Sequence, residues 1–144
     1  MRAIIQRVSS ASVAVDGNVC GSIDRGFLIF VGFTHTDTRA ECDKMAKKIS
    51  AMRIFSDEND KINLSLSDVG GQILCISQFT LYADCSHGNR PAFINAMQPH
   101  MADELYGYFC DTLSKTVHVE KGIFGADMKV TLVNDGPFTI SLEY

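Results

Sequence analysis

The segment Phe27-Leu-Ile-Phe-Val-Gly-Phe33 is the strongest indication of the fold, because it is apolar throughout and shows no alternation with polar residues. Such a run predicts a strand that is buried on both faces. Three shorter strand patterns precede it at residues 3–8, 12–15 and 19–23, and Asp16-Gly17 is a turn signal between the last two. The first third of the chain therefore predicts strands, one of them fully buried.

Two helices are predicted further along the chain. Thr38 and Glu41 have the spacing of a capping box, and the helix that they begin is predicted to end near Phe55. Its apolar stripe consists of Cys42, Met45, Ala46, Ile49 and Met52. The second helix is predicted from about residue 99 to residue 113. Its stripe consists of Met101, Leu105, Tyr108, Phe109 and Thr112.

The remaining strand patterns complete the fold class. Gly70-Gly71 introduces a strand predicted over residues 72–80, and further strands are predicted at 117–120, 128–133 and 138–142. The order is strands, then strand–helix twice, then strands. It predicts a mixed, β-rich α/β fold in which two helices pack on mixed sheets. A chain of 144 residues fits one domain, so we expect a single domain over 1–144.

Composition limits the classes of function. The longest apolar run is far shorter than the ~20 residues of a membrane helix, and the first residues lack a signal-peptide pattern. We therefore expect a soluble, cytoplasmic protein with no membrane partner. Five scattered cysteines without a C-x-x-C pair predict reduced thiols, and the four histidines have no metal-ligand spacing. We expect no metal and no other cofactor.

The net charge of −4 argues against a protein that covers many phosphates, because such proteins usually carry a basic surface. An acidic chain can still handle tRNA if it holds only the terminal nucleotide and its ester. Lys44, Lys47 and Lys48 share one face of the first predicted helix. They could meet a phosphate or form an ordinary solvated helix face.

The segment Ser77-Gln-Phe-Thr-Leu-Tyr-Ala-Asp84 is the first candidate for chemistry. On a continuing strand, Gln78 and Thr80 would share one face, and Ser77 and Phe79 the other. Polar residues on both faces at the end of an apolar strand indicate either a functional site or a strand that leaves the core.

The segment Asn134-Asp-Gly-Pro-Phe-Thr139 is the second candidate, and its composition is typical of a turn between two strands. A fixed Gly136-Pro137 turn would present consecutive carbonyl groups, which suit a substrate ammonium group. The chain has no G-x-S-x-G elbow, no P-loop and no G-x-G-x-x-G motif. A serine or cysteine triad assembled by folding stays open, so the residues alone indicate only a soluble α/β domain.

With both segments in view, the chain resembles the D-aminoacyl-tRNA deacylase family. The resemblance extends nearly from end to end and rests on segments in the family's order and spacing: residues 1–8, 16–17, 61–66, 68–71, 77–84, 89–93, 124–128 and 134–139. It implies a homodimer with the active site at the subunit interface. It also implies an enzyme of translation quality control that hydrolyses the ester at the 3′ end of D-aminoacyl-tRNA.

The resemblance assigns roles to two groups of residues. The family's S-Q-x-x-[TL] segment falls on Ser77 to Leu81, of which Ser77, Gln78, Phe79 and Thr80 are the candidate catalytic residues. The family's Gly-cisPro motif falls on Gly136 and Pro137, which are expected to bind substrate in the partner subunit's pocket. Arg7 and Phe138 are expected to support that motif, although an edge arginine and an ordinary core phenylalanine are the alternatives.

The mechanism expected from this resemblance uses the backbone. Amide groups around Phe79 and Thr80 would stabilise the oxyanion while a water, aided by the ribose 2′-hydroxyl, attacks the ester. Thr80 as a covalent nucleophile is the alternative. Carbonyl groups of Gly136 and Pro137 would hold the substrate ammonium and exclude L side chains, which also predicts glycyl-tRNA as a second substrate. A non-catalytic tRNA-binding module and a hydrolase of small D-amino esters are the competing functions.

Overall fold

The computed structural model describes all 144 residues and combines eight strands, two α-helices and one 3₁₀ turn. In chain order, the strands of the first half are β1 (Arg2–Val15), β2 (Asn18–Ile23), β3 (Gly26–Gly32), β4 (Arg53–Ser56) and β5 (Ile62–Ser65). The second half contains β6 (Gln72–Ser77), the 3₁₀ turn (Phe79–Tyr82), β7 (Val119–Lys121) and β8 (Lys129–Glu143). The helices are α1 (Arg39–Ser50) and α2 (Pro99–Leu113). No helix has the length and apolar character needed to cross a membrane.

Six strands form one mixed sheet in the order β2-β1-β3-β6-β7, with β8 paired to β1, while β4 and β5 form a separate pair. β1 is antiparallel to β2, β3 and β8, whereas β3, β6 and β7 run parallel to one another. The predicted buried strand is β3, which lies between β1 and β6. The predicted fold class, β-rich α/β with two helices, is confirmed.

The sheet is buried on both faces, which explains the uninterrupted apolar run of β3. Phe27, Ile29 and Val31 face the larger core cluster of 23 residues, to which both helices contribute. Leu28 points to the opposite face, where a smaller cluster of seven residues is covered by Val130 and its neighbours. Successive side chains of a strand alternate between faces, so both sets must be apolar.

The α1 stripe is confirmed, since all five of its predicted residues are buried. The helix itself ends at Ser50 with Ala51 as its C-cap, so the predicted end near Phe55 is wrong. Residues Arg53–Ser56 form β4 instead, because Phe55 stacks on Phe27 at 5.3 Å between ring centroids.

The stripe predicted for α2 is wrong, although the helix bounds are right. The buried residues are Ala102, Tyr106, Phe109, Cys110 and Leu113, of which only Phe109 was predicted. Met101 is 52% exposed. The predicted and the observed residues both have helical spacing, so the spacing alone does not tell which face of α2 is buried. That depends on the elements that α2 packs against. All five cysteines are free thiols.

The strand predicted over residues 72–80 ends three residues early, at Ser77. The Gln78 amide makes the last bond to the sheet, donating to the Val31 carbonyl at 2.7 Å. A Cβ atom at Gly32 would lie 2.7 Å from the Gln78 carbonyl oxygen, so the glycine lets the chain fold over β3 into the 3₁₀ turn. The predicted strand alternation therefore does not hold beyond Ser77.

The turn predicted at residues 134–137 is also wrong, because β8 continues through it and pairs with β1 on both sides. The segment is an irregularity inside the strand, with shifts in register near Val8, and its Gly136–Pro137 peptide bond is cis. The shift changes the buried face. Leu132 packs on the smaller core, whereas Ile140, an even number of residues later, packs on the larger one.

Candidate active site

A cavity of about 600 Å³ lies where β6 ends, and its volume is typical of small-molecule sites. Four parts of the chain surround it: the end of β3, the end of β6 with the start of the 3₁₀ turn, the segment leading into α2, and the loop between β7 and β8 with the start of β8. Most of the lining is apolar. The lining residues with large side chains or polar groups are Phe33, Ser77, Gln78, Phe79, Phe93, Met97, Gln98, Phe124, Asp127 and Met128. The structure therefore brings Ser77, Gln78 and Phe79 together at this cavity.

The backbone of the 3₁₀ turn provides free hydrogen-bond donors beside the cavity. The first bond within the turn runs from the Leu81 amide to the Gln78 carbonyl at 3.2 Å. The amides of Phe79 and Thr80 precede that bond, so the turn's own bonding pattern does not use them. Two neighbouring backbone donors in a fixed turn are a suitable arrangement for stabilising an oxyanion.

Thr80 does not line the cavity, but its side chain is hydrogen-bonded to that of Gln78, which does. The Gln78 side-chain amide donates to the Thr80 hydroxyl oxygen at 2.5 Å, which leaves the hydroxyl proton free to be donated. No histidine or carboxylate is hydrogen-bonded to this hydroxyl. The carboxylate that lines the cavity, Asp127, is paired with Lys129 at 2.9 Å. Within one copy of the chain, no base lies where it would activate Thr80 as a nucleophile.

Buried thiols are equally unsuited to nucleophilic attack. Cys75 on β6 is fully buried, and this burial, followed by its hydrogen bond with Cys110, holds the pKa of the Cys75 thiol well above its usual value. Burial also raises the pKa of Cys42 to about 12. Both groups stay protonated at neutral pH, and the thiolate is the nucleophilic form.

The second group of predicted residues forms a compact cluster around Arg7. The Arg7 guanidinium donates to the carbonyl oxygens of Asp135 at 2.9 Å and Ile54 at 2.6 Å. It also lies over the Phe138 ring, 5.0 Å from its centroid. The structure therefore places Arg7 and Phe138 against the segment that contains Gly136.

Glycine is required at position 136. Its φ of +144° lies in a region that L side chains rarely adopt, and a Cβ atom there would lie 2.9 Å from the Phe138 amide nitrogen. The Asn134 side-chain oxygen accepts a hydrogen bond from that same amide at 2.7 Å. Gly136 and Pro137 are both exposed, so their backbone is accessible from outside the chain.

The two groups of predicted residues are separated within one chain. Arg7 pairs with Phe27 on β3, whereas Ser77 pairs with Val31, four residues further along that strand. Four residues of strand span about 13 Å. Neither Gly136 nor Arg7 lines the cavity. A single copy of the chain therefore does not bring the two motifs into one site.

Sequence reasoning from side-chain patterns missed much of the cavity wall. The wall includes Phe93, Met97, Phe124 and Met128. Three of them, at positions 93, 124 and 128, lie in segments that carry the family resemblance, but no side-chain pattern indicated them as site residues. The available signal was an apolar residue on each side of Gly125 in a segment without strand or helix periodicity. Apolar residues in a loop can be recognised as part of a cavity wall only when the fold shows what they face.

Comparisons with known proteins agree over the whole chain. Residues 4–143 match the family model described as D-Tyr-tRNA(Tyr) deacylase. A D-aminoacyl-tRNA deacylase of Lactobacillus gasseri is 54% identical over 144 residues, which cover 99% of this chain and 99% of that protein. One of Clostridioides difficile is 52% identical, covering 99% of this chain and 97% of that protein.

Two solved structures are similar along their full length. One, described as c-Myc DNA Unwinding Element Binding Protein, has a TM-score of 0.94 and 41% identity, and the match covers 100% of this chain and 99% of that one. The other is described as a probable eukaryotic D-amino acid tRNA deacylase. It has a TM-score of 0.84 at 17% identity, covering 98% and 97%, and so supports the fold alone.

The fold and the similarity along the whole chain show that this protein is a deacylase, a hydrolase that acts on ester bonds. Within this class, the chain belongs to the D-Tyr-tRNA(Tyr) deacylase family, because the family model and both curated relatives cover nearly all of it. The resemblance expected from the sequence is confirmed.

Proposed function

We propose that this protein hydrolyses the ester of D-aminoacyl-tRNA in the cytoplasm, releasing free tRNA and the D-amino acid, and that its backbone performs both catalysis and chiral selection. The observation that carries the proposal is the pair of Phe79 and Thr80 amides, which the turn's own bonding leaves free beside the cavity. The match to the deacylase family supplies the substrate class.

Catalysis on these amides requires little from side chains. An aminoacyl ester is already activated, so stabilising the oxyanion and orienting a water lower the barrier without a strong nucleophile. The 2′-hydroxyl of the terminal ribose assists the water. Thr80 donates its free hydroxyl proton toward the substrate. The lack of a base beside Thr80 supports this role over covalent attack.

The apolar wall of the cavity fits the 3′ end of tRNA. Phe124, Met128 and Phe93 offer surfaces on which a nucleobase can lie, and nucleobases readily stack on aromatic side chains. Gripping only this end needs few phosphate contacts. That accords with the net charge of −4.

Chiral selection is assigned to Gly136 and Pro137 of a second copy of the chain. Their carbonyl groups hold the substrate's α-ammonium, so that a D side chain projects outward and an L side chain collides with the backbone. Glycine has no side chain to collide, so glycyl-tRNA is a further substrate. The compact cluster around Arg7 supports this role, because it fixes the segment while leaving Gly136 and Pro137 exposed.

A homodimer follows from the separation of the two motifs within one chain. Apolar residues that remain exposed beside them, such as Phe79 (55%), Ile94 (73%) and Val133 (56%), would be covered by the second copy. Exposure of a phenylalanine ring or an aliphatic side chain to water is unfavourable, and burying these groups in an interface stabilises the dimer. We therefore assign the active site to the interface between two copies.

Subunit mixing tests the assignment. Phe79→Pro removes one candidate oxyanion donor, and Gly136→Val disrupts the second motif. Each variant alone is expected to be inactive on D-tyrosyl-tRNA. After the two are unfolded and refolded together, mixed dimers contain one site with both motifs intact, so about a quarter of wild-type activity returns if assembly is random.

The same mixture distinguishes the alternatives. If the two motifs act within one chain, the mixture stays as inactive as its components, and the interfacial site is wrong. A parallel binding measurement with uncharged tRNA identifies the non-catalytic alternative, for which wild-type protein would bind tRNA without increasing ester loss. Rapid cleavage of D-tyrosine methyl ester, with no preference for intact tRNA, would indicate a hydrolase of small esters.

A further inference from the structure

We propose that Arg2 is a positioning residue that fixes the far end of the 3₁₀ turn and thereby holds the Phe79 and Thr80 amides in place. The proposal rests on the oxyanion role proposed above. Arg2 lies on β1, and its Nη1 donates to the Leu81 carbonyl oxygen at 3.0 Å. The sequence patterns did not single out this residue.

The two ends of the turn are held in different ways. At its start, the Gln78 amide bonds to the Val31 carbonyl at 2.7 Å, which ties the turn to β3. At its end, the donor that would continue the 3₁₀ pattern is the Asp84 amide, but this amide bonds to the Ala92 carbonyl at 2.8 Å instead. The Leu81 carbonyl is therefore left for Arg2.

Arg2 makes two further contacts that fix the plane of its guanidinium. Nε is paired with a Glu143 carboxylate oxygen at 3.0 Å, and the group lies 4.6 Å from the centroid of the Tyr82 ring. Tyr82 itself is buried, with 6% exposure, so it provides a fixed surface. Arginine can serve a carboxylate, a carbonyl and an aromatic face at once, whereas lysine offers only a point charge.

The Arg2 contacts are better suited to orientation than to global stability. The Arg2 side chain is 42% exposed and the Glu143 side chain 60% exposed, and ion pairs at such positions contribute little to folding. Removing Arg2 should therefore leave the protein folded while the end of the turn becomes mobile. A small displacement of an oxyanion donor is enough to reduce kcat.

The test compares Arg2→Ala, Arg2→Lys and the control Arg39→Ala. Arg39 lies over the Tyr108 ring at 4.9 Å, so the control loses the same kind of contact at a place that does not touch the turn. We expect Arg2→Ala to lower kcat on D-tyrosyl-tRNA about tenfold with KM within about twofold, since the donor is displaced and not deleted. Arg2→Lys should retain an intermediate kcat.

Two readouts separate positioning from general damage. Guanidinium chloride, added far below denaturing concentrations, should partly restore kcat of Arg2→Ala and leave Arg39→Ala unchanged. Hydrogen exchange of the Leu81 and Ala83 amides should become faster in Arg2→Ala, while the amides of β3 and β6 keep their protection.

The outcomes also distinguish this proposal from the one it rests on. If exchange of the turn amides and kcat both stay at wild-type values in Arg2→Ala, Arg2 does not hold the turn. If exchange becomes faster but kcat is unchanged, Arg2 holds the turn, and the oxyanion role of its amides is wrong. Loss of kcat without faster exchange and without guanidinium rescue also overturns the proposal.

Discussion

Replacing Phe79 by proline tests the backbone mechanism at a single atom group, because proline has no amide N–H. Phe79 is the first residue of the 3₁₀ turn, where no bond of the turn uses its amide. Proline is well tolerated at the first position of a helical turn, and its φ suits a 3₁₀ conformation. The preceding Gln78 has φ −145° and ψ 81°, outside the α region that proline disfavours in the residue before it.

The matched control is Phe79→Leu, which removes the aromatic ring but keeps the amide. The ring is 55% exposed and makes an edge-to-face contact with Phe93 at 4.9 Å between centroids. Any loss of activity that comes from this contact appears in both variants. The ratio of the two rates therefore isolates the N–H group.

The expected ratio follows from known oxyanion sites. Deleting one donor typically lowers kcat by about 10² to 10³, or about 2.7–4 kcal/mol of transition-state stabilisation. We expect Phe79→Pro to be slower than Phe79→Leu by that factor on D-tyrosyl-tRNA. Single-turnover loss of ester-linked tyrosine measures it, with circular dichroism to confirm that both variants are folded.

A folded Phe79→Pro variant that deacylates within about threefold of Phe79→Leu would contradict this expectation, since the loss of an oxyanion donor lowers kcat by much more than threefold. The Phe79 amide would then have no part in the transition state. The remaining candidate in the turn would be the Thr80 amide alone.

Three further predictions concern other residues of the account. Thr80→Ala keeps the amide and should retain at least about a tenth of wild-type kcat in single-turnover deacylation; a nucleophile would lose nearly all of it. Arg7→Ala removes the donor to the Asp135 and Ile54 carbonyls and should lower the ratio of D- to L-tyrosyl-tRNA cleavage about tenfold, in parallel rate measurements on both esters. In the wild-type protein the buried Met1 amino group pairs with the Asp37 carboxylate at 2.6 Å. Asp37→Asn leaves this amino group without a counter-charge and should lower the free energy of unfolding, measured in urea, by about 3 kcal/mol.

Those parts of the fold that depend on local pattern were predictable from the sequence. β3 is apolar at every position because both of its faces are covered. All five residues of the stripe predicted for α1 are buried, four of them on the helix and Met52 just beyond it. Capping by Thr38 and Glu41 was also found as the spacing predicts. In each case the signal and the structure lie within the same short segment.

The errors lie where distant residues decide the local structure. β6 stops at Ser77 because Gly32, on another strand, allows the chain to cross over it. Residues 134–137 have the composition of a turn. They nevertheless stay within β8, because the strand pairs with β1 on both sides of them and Arg7 donates a hydrogen bond to the Asp135 carbonyl. No pattern within either segment contains that information.

The candidate site shows the same division. Ser77, Gln78 and Phe79 were found through the motif, and the structure places them at the cavity. Met97 reaches the same cavity from the segment before α2, and Arg2 reaches the 3₁₀ turn from β1. Both were missed, since their relevance depends on packing between segments far apart in the sequence.

Chiral selection by the Gly136-Pro137 backbone is tested by the initial rates of ester loss from D-tyrosyl-tRNA and L-tyrosyl-tRNA, measured side by side with the purified wild-type protein. If backbone groups of a second subunit select the substrate, the D ester is cleaved rapidly, the L ester decays at its uncatalysed rate, and glycyl-tRNA is cleaved as well. Equal acceleration of the D and L esters would contradict selection by steric exclusion at Gly136 and Pro137.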